Sequence, residues 1–257
     1  MHAKYTGLAA RLAPWLRSWR SGLTSLDDVV TAMTDRRQDE QFVVHDDDGE
    51  AVVDLFDGLS RISKCDADDV RLVLAVPGDA RGLPTSGDFA AAALTAGEAI
   101  TAGNLGIVPI RHTHVSGSND TWHSIEWRIF VTEPPLPAES IPTGEADLAL
   151  TEALAEATRT LDVLDVAGWR DNSEAMTRIR GAQDFRLPPG FGQRECRVYA
   201  RACLLDAAMR EAESDAMGGA VTAYEASARF EALRPLAAAC RQAIVAACHA
   251  RLTLRHR

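Results

Sequence analysis

Lysine is nearly missing from this chain. Of 27 basic residues only Lys4 and Lys64 are lysine, and with abundant alanine this reads as the codon signature of a GC-rich genome, not as arginine chemistry. No apolar, uncharged run approaches the roughly 18–20 residues that a membrane span needs, so a soluble protein without a span is expected. The five cysteines, 65, 196, 203, 240 and 248, include no C-x-x-C pair. Cys196 and Cys203, like Cys240 and Cys248, fall near one face of a helix, which fits small buried thiols better than disulfides or zinc. A reducing cytoplasm is the matching compartment. A concentrated basic surface is also lacking: the net charge is −10, which disfavours sequence-independent binding to nucleic acid.

What is present describes a folded protein. A chain of 257 residues, 46% hydrophobic and 25% charged, is long enough for one large core or two lobes. Residues 21–79 hold 15 acids and 5 bases, so 5 − 15 accounts for the entire −10. That segment is either a solvated face or a surface for a basic partner. At the N-terminus Leu8, Leu12, Trp15, Leu16 and Trp19 share a helical face while Arg11, Arg17 and Arg20 interrupt any signal-peptide core, so a docked amphipathic helix is expected.

Ser25 and Asp28 form a capping-box-like pair opening a second helix that should end near Thr34. "QFVVH", 41–45, reads as a strand. "DDDG", 46–49, could close a hairpin, but Val52, Leu55, Phe56, Leu59 and Ile62 have helical spacing. The expectation is therefore strand, helix, strand, with 70–76 parallel to 41–45 through a right-handed crossover. A short helix at 88–96 ending at Gly97 follows, then strands at 98–102, 105–111 and 122–132, the first two joined by a tight Gly103-Asn104 hairpin.

"TEPPLPAESIPTG", 132–144, stops regular structure because proline removes a donor and forces extended backbone. Beyond it, helices are expected at 145–166, 172–181 and 193–216, the last closed by Gly218-Gly219. A T-x-x-E box at Thr222 and Glu225 opens a terminal helix reaching about residue 254, kinked at Pro235. Residues 233, 236, 240, 243, 247, 250 and 254 form a seam of mostly small side chains, covered by the chain's own bundle or, alternatively, by a second copy. The fold class is thus α+β. Residues 1–135 form a lobe with a mixed sheet of about five strands flanked by helices, 136–144 a proline-rich connection, and 145–257 a helical bundle packed against the first lobe.

The nearest approach to a catalytic signature is "RLVLAVPGDARGLPTSGDFAAAAL", 71–94. Gly82 and Gly87 have P-loop spacing, but Asp88 and Phe89 stand where Lys and Ser/Thr do the chemistry. Gly78, Gly82 and Gly87 do not fit G-x-G-x-x-G either. Asp88, read as the helix N-cap, would occupy the amides an anion needs. Asp79 and Arg81, after a strand's carboxyl end, remain as a ligand-binding pair. His112, His114 and His123 could form a site if they converge, with Asp120 or Glu126 adding an oxygen, although their spacing matches no zinc signature. No G-x-S-x-G elbow is present, the acids at 46–50 do not match a calcium loop, and no cofactor or metal is called for.

The stretches "LVLAVPGDARGLP…GDFAAAALTAGEAI", "LDVLDVAGWR", "LPPG" and "GGAVTAYEASARFEALRPL" resemble a group of uncharacterised actinobacterial proteins of similar length. The resemblance covers the chain from about residue 70 onward. It implies a cytosolic bacterial protein and supplies no catalytic residues. The function expected is that of a non-enzymatic interaction or regulatory protein with a protein partner. The rival is a metal- or small-ligand-binding enzyme with a pocket between sheet and bundle, using Asp79, Arg81 and the histidines. Nucleic-acid association through the basic N-terminal helix and the tail "RLTLRHR" is weaker still.

Overall fold

The computed structural model describes residues 7–34, 40–45, 51–133, 141–163, 186–216 and 223–253. The expected helix at 172–181, the DDDG turn, Gly218-Gly219 and Thr222 lie outside them. The fold is α+β, with two compact units: Met1–Glu139 together with Pro188–Gly190 and Arg251–Arg257, and Ser140–Leu187 together with Phe191–Ala250.

The first unit is built on a six-stranded mixed sheet, one strand more than expected. Its strands are β1 (Glu40–His45), β2 (Ala51–Asp54), β3 (Val70–Val73), β4 (Ala99–Ala102), β5 (Leu105–Val115) and β6 (Thr121–Val131), in the order β2-β1-β6-β5-β4-β3. Two expectations fail here. Residues 51–54 form a strand antiparallel to β1, and β1 is parallel to β6, while β3 lies at the opposite edge. Val52 is 66% exposed, so it never belonged to the buried stripe its spacing suggested. The helical period begins only where Asp54, in extended conformation, accepts a bond from the Asp57 amide at 2.8 Å and starts α3 (Leu55–Ser60). Leu55 and Leu59 are its buried side, continued by Ile62 in the 3-10 turn Arg61–Lys64 that follows.

Strand alternation divides the residues of β5 and β6 between two faces. Ile107, Ile125, Trp127 and Ile129, with Val43, Leu72 and Ile100 from neighbouring strands, are buried under α1 (Leu8–Arg20), α2 (Leu26–Thr34) and α3. Gly58 of α3 leaves no room for a Cβ against Val43, and Gln41 spans from the Trp127 indole (3.0 Å) to the Met33 carbonyl (2.8 Å). The Ser25–Asp28 box forms as expected, Ser25 N donating to Asp28 Oδ2 at 2.8 Å and Asp28 N to Ser25 Oγ at 3.1 Å. The Ser25 amide and, at 2.7 Å, the Ser25 hydroxyl both donate to the Asp28 carboxylate and lower its pKa.

On the other face, α4 (Asp88–Ala96) covers one end through Phe89, Ala93, Val73, Ala99, Val108 and Phe130. Gly106 of β5 lies directly under the Phe89 ring. The helix stops at Gly97 with φ 78°, as expected. Asp88, however, is its first residue and not its cap. Gly87, at φ 104°, takes the cap position, a conformation open to glycine and not to aspartate.

Helix α1 is the docked helix foreseen, with Leu8, Leu12 and Leu16 fully buried. Its N-terminus is held from 90 positions away in sequence: the buried Glu98 carboxylate accepts Leu8 N at 3.3 Å and Ala9 N at 2.8 Å. Its other end is tied by Arg17, which donates to Ala67 O and Asp68, and by Ser18, which donates to Pro189 O at 2.8 Å. Thr253 N donates to Gly190 O at 2.8 Å, so residues 188–190 and 251–253 join this unit and not the helices between them.

The second unit contains α5 (Thr143–Val163), α6 (Gln193–Ala216) and α7 (Ala223–His249). Both α5 and α6 pack on α7. Ala146, Leu150 and Ala157 form the buried side of α5, whereas Leu148 faces outward. Along α7, Leu233, Leu236, Cys240, Ala243 and Ala247 are buried, so these seam positions are already covered.

Replacing Glu98 with Ala removes two charge-assisted bonds and leaves two amides unmade, and should cost about 2–3 kcal/mol in urea unfolding. Gly106→Ala forces a methyl into the Phe89 ring and should cost about 1–3 kcal/mol by overpacking. Unchanged unfolding midpoints in both variants would contradict these assignments.

Candidate functional site

The register of the β5–β6 hairpin decides what the three histidines can do. Residues directly opposite one another share a face. His112 lies opposite Ser124 and His114 opposite Trp122, whereas His123 lies opposite Thr113. His112 and His114 therefore share a face and His123 is on the reverse, where its Nδ1 is 3.1 Å from Thr113 Oγ1. The three imidazoles do not converge. Among the described residues no group of three or more His, Cys, Asp or Glu is placed to hold a metal ion.

What the register assembles instead is a row of rings. Phe42 stacks beside His112 (centroids 6.4 Å, 16° between planes), His112 beside His114 (6.3 Å, 34°), and His114 beside Trp122 (5.2 Å, 20°). The row crosses β1, β5 and β6 on the sheet face whose other end α4 covers. Trp122 is 51% exposed and the His112 side chain 40%.

Beneath the rings the polar groups are paired. Glu126, 6% exposed, accepts His112 Nε2 at 2.7 Å on one carboxylate oxygen and Arg128 Nε at 2.6 Å on the other. A carboxylate only accepts, so Nε2 of His112 is the donor. His114 Nε2 is 2.8 Å from Ser124 Oγ. A serine beside a histidine is two-thirds of a hydrolytic triad, but an orienting carboxylate on the same histidine is required. Here the neighbouring carboxylate is committed to His112 and Arg128, and Ser124 is buried.

The other sequence candidates lie elsewhere. Asp79 and Arg81 form a bidentate pair with each other, 2.7 Å in both contacts, and this pairing raises the Arg81 pKa, with its side-chain bond to Asp79 as the main cause. The glycine turn has Gly78, Gly82 and Gly87 at φ 88°, 85° and 104°. Gly78 lies in the tight turn closed by Val76 and Asp79, Gly87 caps α4, and a Cβ on Gly82 would stand 3.1 Å from Val73 Cγ2. The sequence pattern singles out none of Phe42, Trp122, Ser124 and Arg128 as a site residue. Trp122 and the two histidines were marked only by alternation, and their meeting with Phe42 depends on the parallel β1–β6 pairing.

The family models described as "Rv1486c-like protein, N-terminal domain" and "Rv1486c-like protein, C-terminal domain" match residues 9–140 and 144–245. The chain belongs to the Rv1486c-like family. Two relatives from Mycobacterium tuberculosis strains, "Uncharacterized protein MT1533" and "Uncharacterized protein Rv1486c", are each 27% identical over 276 residues, spanning 92% of this chain and 94% of their own. No solved structure matches. The actinobacterial resemblance is thus borne out, and it extends across the N-terminal third of this Rv1486c-like chain as well.

The thiols of Cys65, Cys196, Cys203 and Cys240 are all shifted away from the reactive thiolate form. Burial pushes the Cys240 thiol up from 9.0 to about 12, with Asp206 adding to the effect, and also raises Cys203 well above its ordinary value. Cys65 and Cys196, half-buried, are also raised, chiefly by burial. An unfolded thiol ionises near pH 9 while the folded one stays protonated to about 12, so unfolding releases a proton in that window. Stability should be insensitive to these thiols below pH 9 and fall as pH rises toward about 12. Iodoacetamide at neutral pH should label Cys240 and Cys203 only in urea, and rapid native labelling of either would refute their burial.

Proposed function

We propose that this Rv1486c-like chain is a non-enzymatic interaction or regulatory protein, and that it meets a protein partner through the ring row on its sheet. One observation carries the reading: four rings from three strands run continuously to a half-exposed tryptophan, while the acid, hydroxyl and imidazole groups under them bond to one another. Binding surfaces concentrate their energy in large, rigid aromatic anchors of this kind. The pairing of Glu126 and Ser124 fixes the imidazoles in place and so preorganises the row.

The enzyme reading has one observation in its favour, the His114–Ser124 contact. The burial of Ser124 and the commitment of Glu126 weigh against it. A second copy docking on the terminal helix is the lesser choice of partner, because its seam from Leu233 to Ala247 is already packed within its own unit. A cytoplasmic setting accords with five free cysteines.

A photo-crosslinking amino acid at position 122, introduced in the native host, should capture one discrete protein, and the same reagent at the outward-facing Leu148 should not. Trp122→Ala should keep the circular dichroism spectrum and weaken that complex by about 2 kcal/mol or more, the usual weight of a hot-spot aromatic. Undiminished binding by Trp122→Ala would rule out the ring row as the contact.

A further inference from the structure

The ring row is bordered by acids. Register places Asp54 of β2 and Glu126 of β6 on either side of Phe42, and Glu40 of β1 opposite Ser124, diagonal to Trp122. All three share the face of the row; Glu40 and Asp54 are exposed. Asp120, also exposed, sits in the turn from which the Trp122 strand departs. The neighbouring base, Arg128, is turned onto Glu126. Glu40 and Asp54 also belong to the 21–79 segment that carries the chain's whole −10. An electron-rich indole and imidazole row rimmed by carboxylates is complementary to one kind of side chain in particular, a planar cation.

We infer that the ring row receives an arginine-bearing basic segment of a partner protein. This rests on the reading of the row as a protein-binding surface. A guanidinium can lie flat on the exposed Trp122 indole and keep its edge donors free for carboxylates, which a lysine ammonium cannot match. The chain already contains one such contact, Arg20 with its guanidinium carbon 5.2 Å from the Trp19 ring centroid. Glu40, diagonal to Trp122, is the carboxylate set to accept those donors. The surrounding negative charge would steer a basic segment toward the face and make association fall with salt.

The test uses the full chain and a capped arginine–serine peptide, with lysine–serine and glutamate–serine peptides of the same length. Binding is followed by calorimetry and by the indole N–H resonance of Trp122, assigned by comparison with Trp122→Ala. The arginine peptide should shift that resonance and bind several-fold more tightly than the lysine peptide, while the glutamate peptide should not bind. Trp122→Ala and, separately, the exposed rim change Glu40→Lys should each weaken the arginine peptide about tenfold or more, which is about 1.4 kcal/mol. Equal arginine and lysine affinities, an unmoved Trp122 resonance, or undiminished binding by Glu40→Lys would overturn the inference. The crosslink at position 122 separates the two levels: a captured partner whose contacting segment is neutral or acidic overturns the arginine assignment and leaves the interaction reading standing. Failure of both crosslink and peptide overturns both.

Discussion

The buried carboxylate of Glu98 is the constraint on which the first unit depends. It lies at the start of β4 and accepts the first amides of α1. A helix N-terminus carries unsatisfied donors and partial positive charge, and burying those donors without an acceptor would be costly. Glu98 supplies the acceptor from the sheet that α1 must cover. It therefore ties the start of the helix to the residue before β4, while Arg17 and Ser18 hold the opposite end. With α1 fixed, one sheet face is closed from β3 to β5, and α2 and α3 continue the cover across β1.

The two faces of the sheet thereby acquire different chemistry. The closed face is apolar under the helices, with Trp127 satisfied by Gln41, and turns polar only toward the hairpin end, at Arg111, Thr113 and His123. Among the described residues, Phe89 and Ala93 of α4 close one end of the other face, and at its far end side chains cover one another. His112 lies over Glu126, His114 over Ser124, and the rings line up because alternate residues on adjacent strands are neighbours. The same arrangement that keeps a buried carboxylate and hydroxyl bonded leaves an aromatic ledge at the surface. The binding role proposed for this ledge rests on what is tied down beneath it as much as on what is exposed.

Family membership adds no role to this picture. The match to separate N- and C-terminal domain models follows the division near residue 140, and the relatives bring no activity. The return of residues 188–190 and 251–253 to the first unit shows that this division is not a single cut. Gly190, at φ 102° and pressed against Leu23 and Leu252, marks one of the crossings.

Local signals in the sequence determined the local structure. The Ser25–Asp28 box, the extent of α6, Gly97 as a helix stop, the Gly103-Asn104 hairpin and the amphipathic α1 all came from caps, breakers and periods that act within a few residues. The extra strand β2 was not legible, because Val52 and Val53 pair with β1 against a helical spacing that is real only from Leu55 onward. Nor was the partner of β1: a parallel neighbour about 80 positions later leaves no local trace. The face assignment of His123, opposite to that of His112 and His114, required the β5–β6 register, and the ring row required the parallel β1–β6 pairing as well. Side-chain periodicity tells which residues on one strand share a face, but which strands lie side by side is set by long-range burial and hydrogen bonding that only the assembled sheet satisfies.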